Sequence, residues 1–140
     1  MNAQIHEELQ RMRLAYLAKL PQKLDDMETL VRELNQVDDC TDSFENLYRA
    51  VHTLKGTAGT YGLQIITAIC TPFEDCLTAV QESGISGSDH VAGYCMQFIG
   101  ILRDAITQLE AGKDSFTEIE KSLDEFNWSV TDSAIKFHAS

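Results

Sequence analysis

Proline is nearly missing from this chain of 140 residues: two are present, beside eight glycines. With a hydrophobic fraction of 44%, that scarcity argues against a disordered or low-complexity protein. No run of 18 apolar residues occurs, so no transmembrane helix is expected. The opening residues, Met1-Asn2-Ala3-Gln4-Ile5-His6-Glu7-Glu8, lack the basic and apolar regions of a signal peptide. No window alternates apolar and polar residues well enough to be a strand. The cysteines, Cys40, Cys70, Cys76 and Cys95, include no Cys-x-x-Cys pair. The last three lie in apolar helical patterns, where a reduced thiol behaves as a small hydrophobe. Their even number would permit two disulfides, but nothing else points to a secreted scaffold, and the cytoplasm is the expected location. Positive charge is scarce as well. Eleven Lys and Arg face 22 Asp and Glu, a net charge of −11, which disfavours nucleic acid and anionic membranes as partners. A Gly-rich nucleotide loop is also lacking, so no ATP site is implied.

What the chain does have is helical periodicity. Ile5, Leu9, Met12, Tyr16, Leu17 and Leu20 form a narrow apolar stripe, and Leu24, Met27, Leu30, Val31 and Leu34 continue it to about Gln36. Pro21 marks a joint between them, leaving either two helices or one kinked helix. A short loop with Asp38-Asp39 follows, and Asp42 or Ser43 is positioned to cap the next helix. That helix should stop near Gly62. Residues 63–81 carry Ile65, Ile66, Ile69, Phe73, Leu77 and Val80, with a kink or break expected near Cys70–Thr71 because of Pro72. Ser83–Ser88 is a turn, Ser88 or Asp89 can cap, and a further helix runs from there to Gly112.

Ser115-Phe116-Thr117-Glu118 reads as a capping box for a short helix over about 116–127. Beyond it, Trp128, Val130, Ile135 and Phe137 would pack on the bundle, contact a partner or fray, with packing the leading expectation. Short loops between amphipathic helices predict an all-α fold, an up-down antiparallel four-helix bundle with additional N-terminal and C-terminal helical segments. The length suits one domain. Residues 1–112 would form the bundle and 113–140 an appendage.

The stretch that carries chemistry is Val51–Leu63, Val-His-Thr-Leu-Lys-Gly-Thr-Ala-Gly-Thr-Tyr-Gly-Leu. Phe44, Leu47, Tyr48, Val51, Leu54, Ala58 and Tyr61 put one face of its helix toward a core. His52 then falls on the flank, in line with Gly59, with Gly56 nearer solvent and Lys55 nearer the core. Each glycine inside a helix costs about 1 kcal/mol relative to alanine. Two readings of that cost remain open. Gly56 and Gly59 could admit a closely packed neighbouring helix, with Gly62 ending their own helix, or they could let another protein bring a reactive group to the imidazole. Lys55 is either a solvated lysine or a charge acting one turn from His52. His6, His90 and His138 have no partner at metal-ligand spacing and read as surface residues. Met12 and Met27 read as core fillers, and Asp25-Asp26 and Glu7-Glu8 as solvated faces.

His52-Thr53-Leu54-Lys55-Gly56, with Ala58 and Gly62-Leu63 following, resembles the signature of histidine-containing phosphotransfer (HPt) domains, His-x-x-Lys-Gly followed by small residues. The resemblance covers about a dozen residues, with helical periodicity agreeing over roughly 100. It implies a helical bundle in a two-component phosphorelay. His52 would accept a phosphoryl group from a receiver-domain aspartate of a hybrid sensor kinase and pass it to a response regulator. Lys55 would compensate phosphate charge, and Gly56 and Gly59 would give the partner access. An imidazole of ordinary pKa, about 6.5, offers a neutral ring nitrogen near pH 7.

The resemblance also implies that the partner supplies the metal ion, so no cofactor and no enzymatic activity are expected of the chain itself. A monomer is expected because the site must be reachable. A similar motif occurs in chemotaxis-type histidine kinases, which would need a kinase domain, and none follows here. The start at Met1 and the tail favour a freestanding protein. An adaptor that binds a receiver or kinase without carrying phosphate is the alternative.

Overall fold

The computed structural model describes residues 2–36, 40–84 and 89–126. Among them lie five α-helices: α1 Asn2–Gln36, α2 Thr41–Thr60, α3 Gln64–Ser83, α4 Asp89–Glu110 and α5 Thr117–Glu125. The helices α1 to α4 pack in a ring, α1 on α2 and α4, α3 on α2 and α4, and α5 lies on α4. Contacts at both ends fix α1 and α2 as antiparallel. Ser43 Oγ donates to Glu33 at 2.6 Å at one end, and the Tyr16 and Tyr61 rings stack 4.8 Å apart near the other. The all-α bundle expected from the periodicity is the observed fold. Among the described residues, no helix is long and apolar enough to cross a membrane.

The core follows the apolar stripes. Leu20, Leu24, Leu47, Val51, Ile66, Phe73, Leu77 and Leu102 are fully buried, and Phe73 stacks on Phe98 at 4.8 Å. Each such side chain contributes about 1.5–3 kcal/mol by leaving water. Cys70, Cys76 and Cys95 are buried and unbridged. Burial pushes the Cys70 and Cys76 thiols up to about 12, so they act as hydrophobes and not as nucleophiles.

Of the two alternatives at Pro21 the single helix is observed: residues 2–36 form one helix with Pro21 inside it. Several local expectations need correction. No break occurs at Pro72, which sits inside an uninterrupted α3. The carbonyl four residues before it belongs to exposed Ala68, where water can serve it, and Thr71 Oγ1 bonds the Thr67 carbonyl at 2.9 Å. Neither Asp42 nor Ser43 caps α2, because the helix already starts at Thr41 with Cys40 before it and both residues lie inside its first turn; the Ser43 hydroxyl donates to Glu33 instead. The Ser115–Glu118 capping box does not form. Half-buried Phe116 holds the N-cap position without a side-chain cap bond, and Glu118 and Glu120 lie in the first turn, where they suit the helix dipole.

Met27 is a core residue, but Ile5, Leu9 and Met12 are exposed, because the amino-terminal turns of α1 have, among the described residues, only the end of α2 beside them, where Leu9 borders an open groove with Thr60, Tyr61 and Gly62. Asp25 is not merely solvated. With Glu28 it holds Arg103 of α4, at 2.7 and 2.9 Å. The cap expected at Ser88–Asp89 and the packing expected of Trp128, Val130, Ile135 and Phe137 lie outside what the structure describes.

Gly62 ends α2 with φ of +73°. Its N–H bonds the Gly59 carbonyl at 3.1 Å, and Leu63 N–H reaches the Ala58 carbonyl at 2.9 Å. This is the Schellman arrangement, which needs a residue tolerant of positive φ, and buried Leu63 against buried Ala58 completes it. The turn folds α3 back along α2 at once, and that sets the register of the site.

Candidate functional site

His52 stands in the middle of α2 with its side chain 64% exposed, on the flank expected from its spacing. Its ring lies nearly parallel to that of Tyr48, one turn earlier, with centroids 6.5 Å apart. Across the seam with α3, Glu74 Oε2 lies 3.1 Å from His52 Nδ1 and 3.1 Å from Lys55 Nζ. One carboxylate oxygen therefore holds both residues that the sequence singled out. Thr67 Oγ1 donates to the Lys55 carbonyl, and Thr78 Oγ1 to the Tyr48 hydroxyl at 3.5 Å, which fastens α3 to α2 on either side of the pair.

The geometry assigns the imidazole its tautomer. An ionised carboxylate only accepts, so Nδ1 carries the ring proton and donates it to Glu74, and the lone pair resides on Nε2. Glu74 is itself mostly buried, with 15% of its side chain exposed. That burial pushes its carboxyl up, but hydrogen bonds and charge from Lys55 and His52 outweigh it and hold the group below the usual carboxylate range. The arrangement can thus present a neutral, oriented nucleophile to solvent, with a carboxylate behind it to balance positive charge on the ring.

Gly56 and Gly59 continue this flank. A Cβ at Gly56 would meet nothing within 4 Å, and one at Gly59 would lie 3.6 Å from Thr67 Oγ1, an ordinary contact. The packing of α3 therefore requires neither glycine. Among the described residues, no three His, Cys, Asp or Glu side chains converge as a metal site. His6 and His90 are exposed and far from this constellation in sequence, and His138 lies outside the described residues.

Sequence reasoning missed Glu74. It lies 22 residues from His52 on another helix, and no local motif links them. A signal did exist: His52 and Glu74 stand eleven residues before and after Leu63, and Tyr48 and Thr78 fifteen. In two helices folded about one tight turn, equidistant positions meet.

A family model described as the Hpt domain matches residues 6–112. The chain belongs to the Hpt domain family. Within this Hpt domain, the matched span covers α1 almost entirely and all of α2, α3 and α4, while α5 lies beyond it. The chain is also similar to the chemotaxis protein CheA of Rhizobium meliloti (strain 1021), 25% identical over 89 residues. That similarity covers 64% of this chain and 12% of the relative, so the Hpt chain spans a small part of the curated protein it matches. No solved structure matches it significantly.

Proposed function

We propose that this Hpt domain carries a phosphoryl group on His52, taking it from a receiver-domain aspartate and passing it to a second receiver. The observation that carries this reading is the shared Glu74 oxygen, which orients His52 through Nδ1 and leaves Nε2 on an exposed flank. In the first step, the Nε2 lone pair attacks the phosphorus of the aspartyl phosphate, roughly in line. An N–P bond forms as the P–O bond to the aspartate breaks, and the aspartate leaves as a carboxylate. The ring keeps its Nδ1 proton, and the positive charge that develops on it faces Glu74. Lys55, one turn on, offsets the charge of the arriving phosphate. Transfer onward is the same step reversed on another aspartate.

In this reading the chain is a carrier without an ATP site of its own, and the divalent metal belongs to the receiver. Gly56 supplies the clearance for a partner's phosphorylated loop. The chain acts as a monomer, since the flank must be open, and in the cytoplasm. Its likeness to a chemotaxis protein favours a second choice of donor, a histidine kinase in place of a receiver.

The test is incubation with a receiver domain labelled on its aspartate by radioactive acetyl phosphate. Acid-labile label should appear on the wild type and vanish in His52→Gln. Label retained in that variant would sink the assignment, and binding of receivers without any label would leave an adaptor. Label acquired only from a kinase with ATP would select the second donor.

A further inference from the structure

From Asn46 to Phe73 the chain contains no aspartate or glutamate, although 22 are present elsewhere. The window covers most of α2 and the first half of α3, and its exposed residues, such as Asn46, Thr53, Thr60 and Gln64, are mostly neutral. The next carboxylate, Glu74, is mostly buried and already bonded to His52 and Lys55. On a molecule of net charge −11, this is a face where an anionic surface can approach without local repulsion.

Of the two cations within this window, Arg49 and Lys55, one is uncommitted. Lys55 is neutralised by Glu74, whereas Arg49 is exposed, one turn before His52, and makes no ion pair or hydrogen bond among the described residues. It stands on a ridge between two grooves. One, of about 230 Å³, runs beside His52 over Phe44 and Tyr48. The other, of about 380 Å³, follows the α1–α2 seam over Met27, Leu30 and Leu54, with Lys23 on its opposite bank. Glu45 and Asp26 border these grooves, but neither pairs with Arg49, and Asp26 accepts from Gln22 at 3.0 Å.

We propose that Arg49 is the docking cation of this face, engaging carboxylates on the partner's surface and governing encounter without touching the transferred group. The inference rests on the carrier reading. The aspartyl phosphate that the carrier reading brings to His52 is an anion, its charge on the phosphoryl oxygens, and a partner with carboxylates around it meets on α2 the stretch of this chain that lacks acidic residues. A guanidinium suits that task, because its planar fork matches a carboxylate and it is always charged. A rim charge of this kind acts on association and its salt dependence more than on the bound state.

The experiment measures transfer from a receiver domain charged with acetyl phosphate, choosing the fastest donor of a panel, across receiver concentrations at low and high salt. Arg49→Glu should lower kcat/KM about tenfold at low salt by raising KM, leave kcat unchanged, and flatten the salt dependence. Arg49→Lys should keep most of the wild-type behaviour, and Lys121→Glu on α5, an equal change of charge, should match wild type. Wild-type KM and salt slope in Arg49→Glu would overturn the inference. So would a fall in kcat alone, or an equal loss in Arg49→Lys. Failure of the wild type to take label from any receiver would instead bring down the carrier reading itself, along with the role of Arg49.

Discussion

Two charged clusters in this molecule are built as inverses of one another. On the α1–α4 seam one cation, Arg103, serves two carboxylates, with Nη2 at 2.7 Å from Asp25 and 2.9 Å from Glu28 and Nε at 3.0 Å from Glu28. On the α2–α3 seam one carboxylate, Glu74, serves two donors, His52 and Lys55. The Arg103 cluster spends Nε and Nη2 within the bundle, and its guanidinium, being made of donors only, offers no lone pair for chemistry. The Glu74 cluster spends one ring nitrogen and leaves the other, Nε2, to solvent. A structural cluster is closed; a chemical one has a group left over, and the difference lies in which partner is shared.

The sharpest way to break the comparison is to remove the group left over. His52→Gln should lose all acid-labile label while keeping the wild-type helical circular dichroism, since the position is exposed. Next comes Glu74→Ala, which should slow transfer about tenfold to a hundredfold, the usual cost of losing a group that orients an imidazole. Glu74→Gln keeps an acceptor for Nδ1–H and should fall between that variant and wild type; rates equal to wild type in both would remove Glu74 from the mechanism.

Gly56→Leu should slow transfer roughly tenfold, while Gly56→Ala raises helix stability by about 0.5–1 kcal/mol, because an added Cβ meets nothing within 4 Å. Undiminished transfer in Gly56→Leu would count against access as the reason for this glycine. Arg103→Ala should cost about 1 kcal/mol or less in denaturant unfolding, as expected for a partly exposed pair, and leave transfer unchanged.

The smallest effect is on pH dependence. Glu74 has its carboxyl depressed from an ordinary 4.5, so its contribution is fully present above that value. The contribution is lost as pH falls through the folded value. Thermal melts from neutral to acid pH should therefore show a loss in wild type that Glu74→Gln lacks.

Much of this was legible in the residues. Apolar spacing from Phe44 to Tyr61 predicted which face of α2 is buried, and with it the exposed flank of His52. The His-x-x-Lys-Gly run pointed to the proposed phosphoacceptor. Spacing alone could not say where a neighbour ends, so the stripe of Ile5, Leu9 and Met12 looked like core although it stays exposed, with only the end of α2, among the described residues, beside Leu9. Capping residues misled for a similar reason. A serine caps only from the position just before the first helical residue, where its Oγ accepts a backbone N–H, and α2 begins at Thr41, which puts Ser43 inside the first turn. Glu74 was hidden among 22 acidic residues, and only the turn at Gly62 tells it apart from the others.

That turn has a consequence for how the molecule is assembled. The contacts that build the His52 site span 22 and 30 positions along the chain, whereas those that tie Arg103 to α1 span 75 and 78. Closing the shorter loops costs less chain entropy, and local contacts form faster. The proposed site is therefore the property of a single helical hairpin, α2 and α3, and its contacts do not run through the long-range seam.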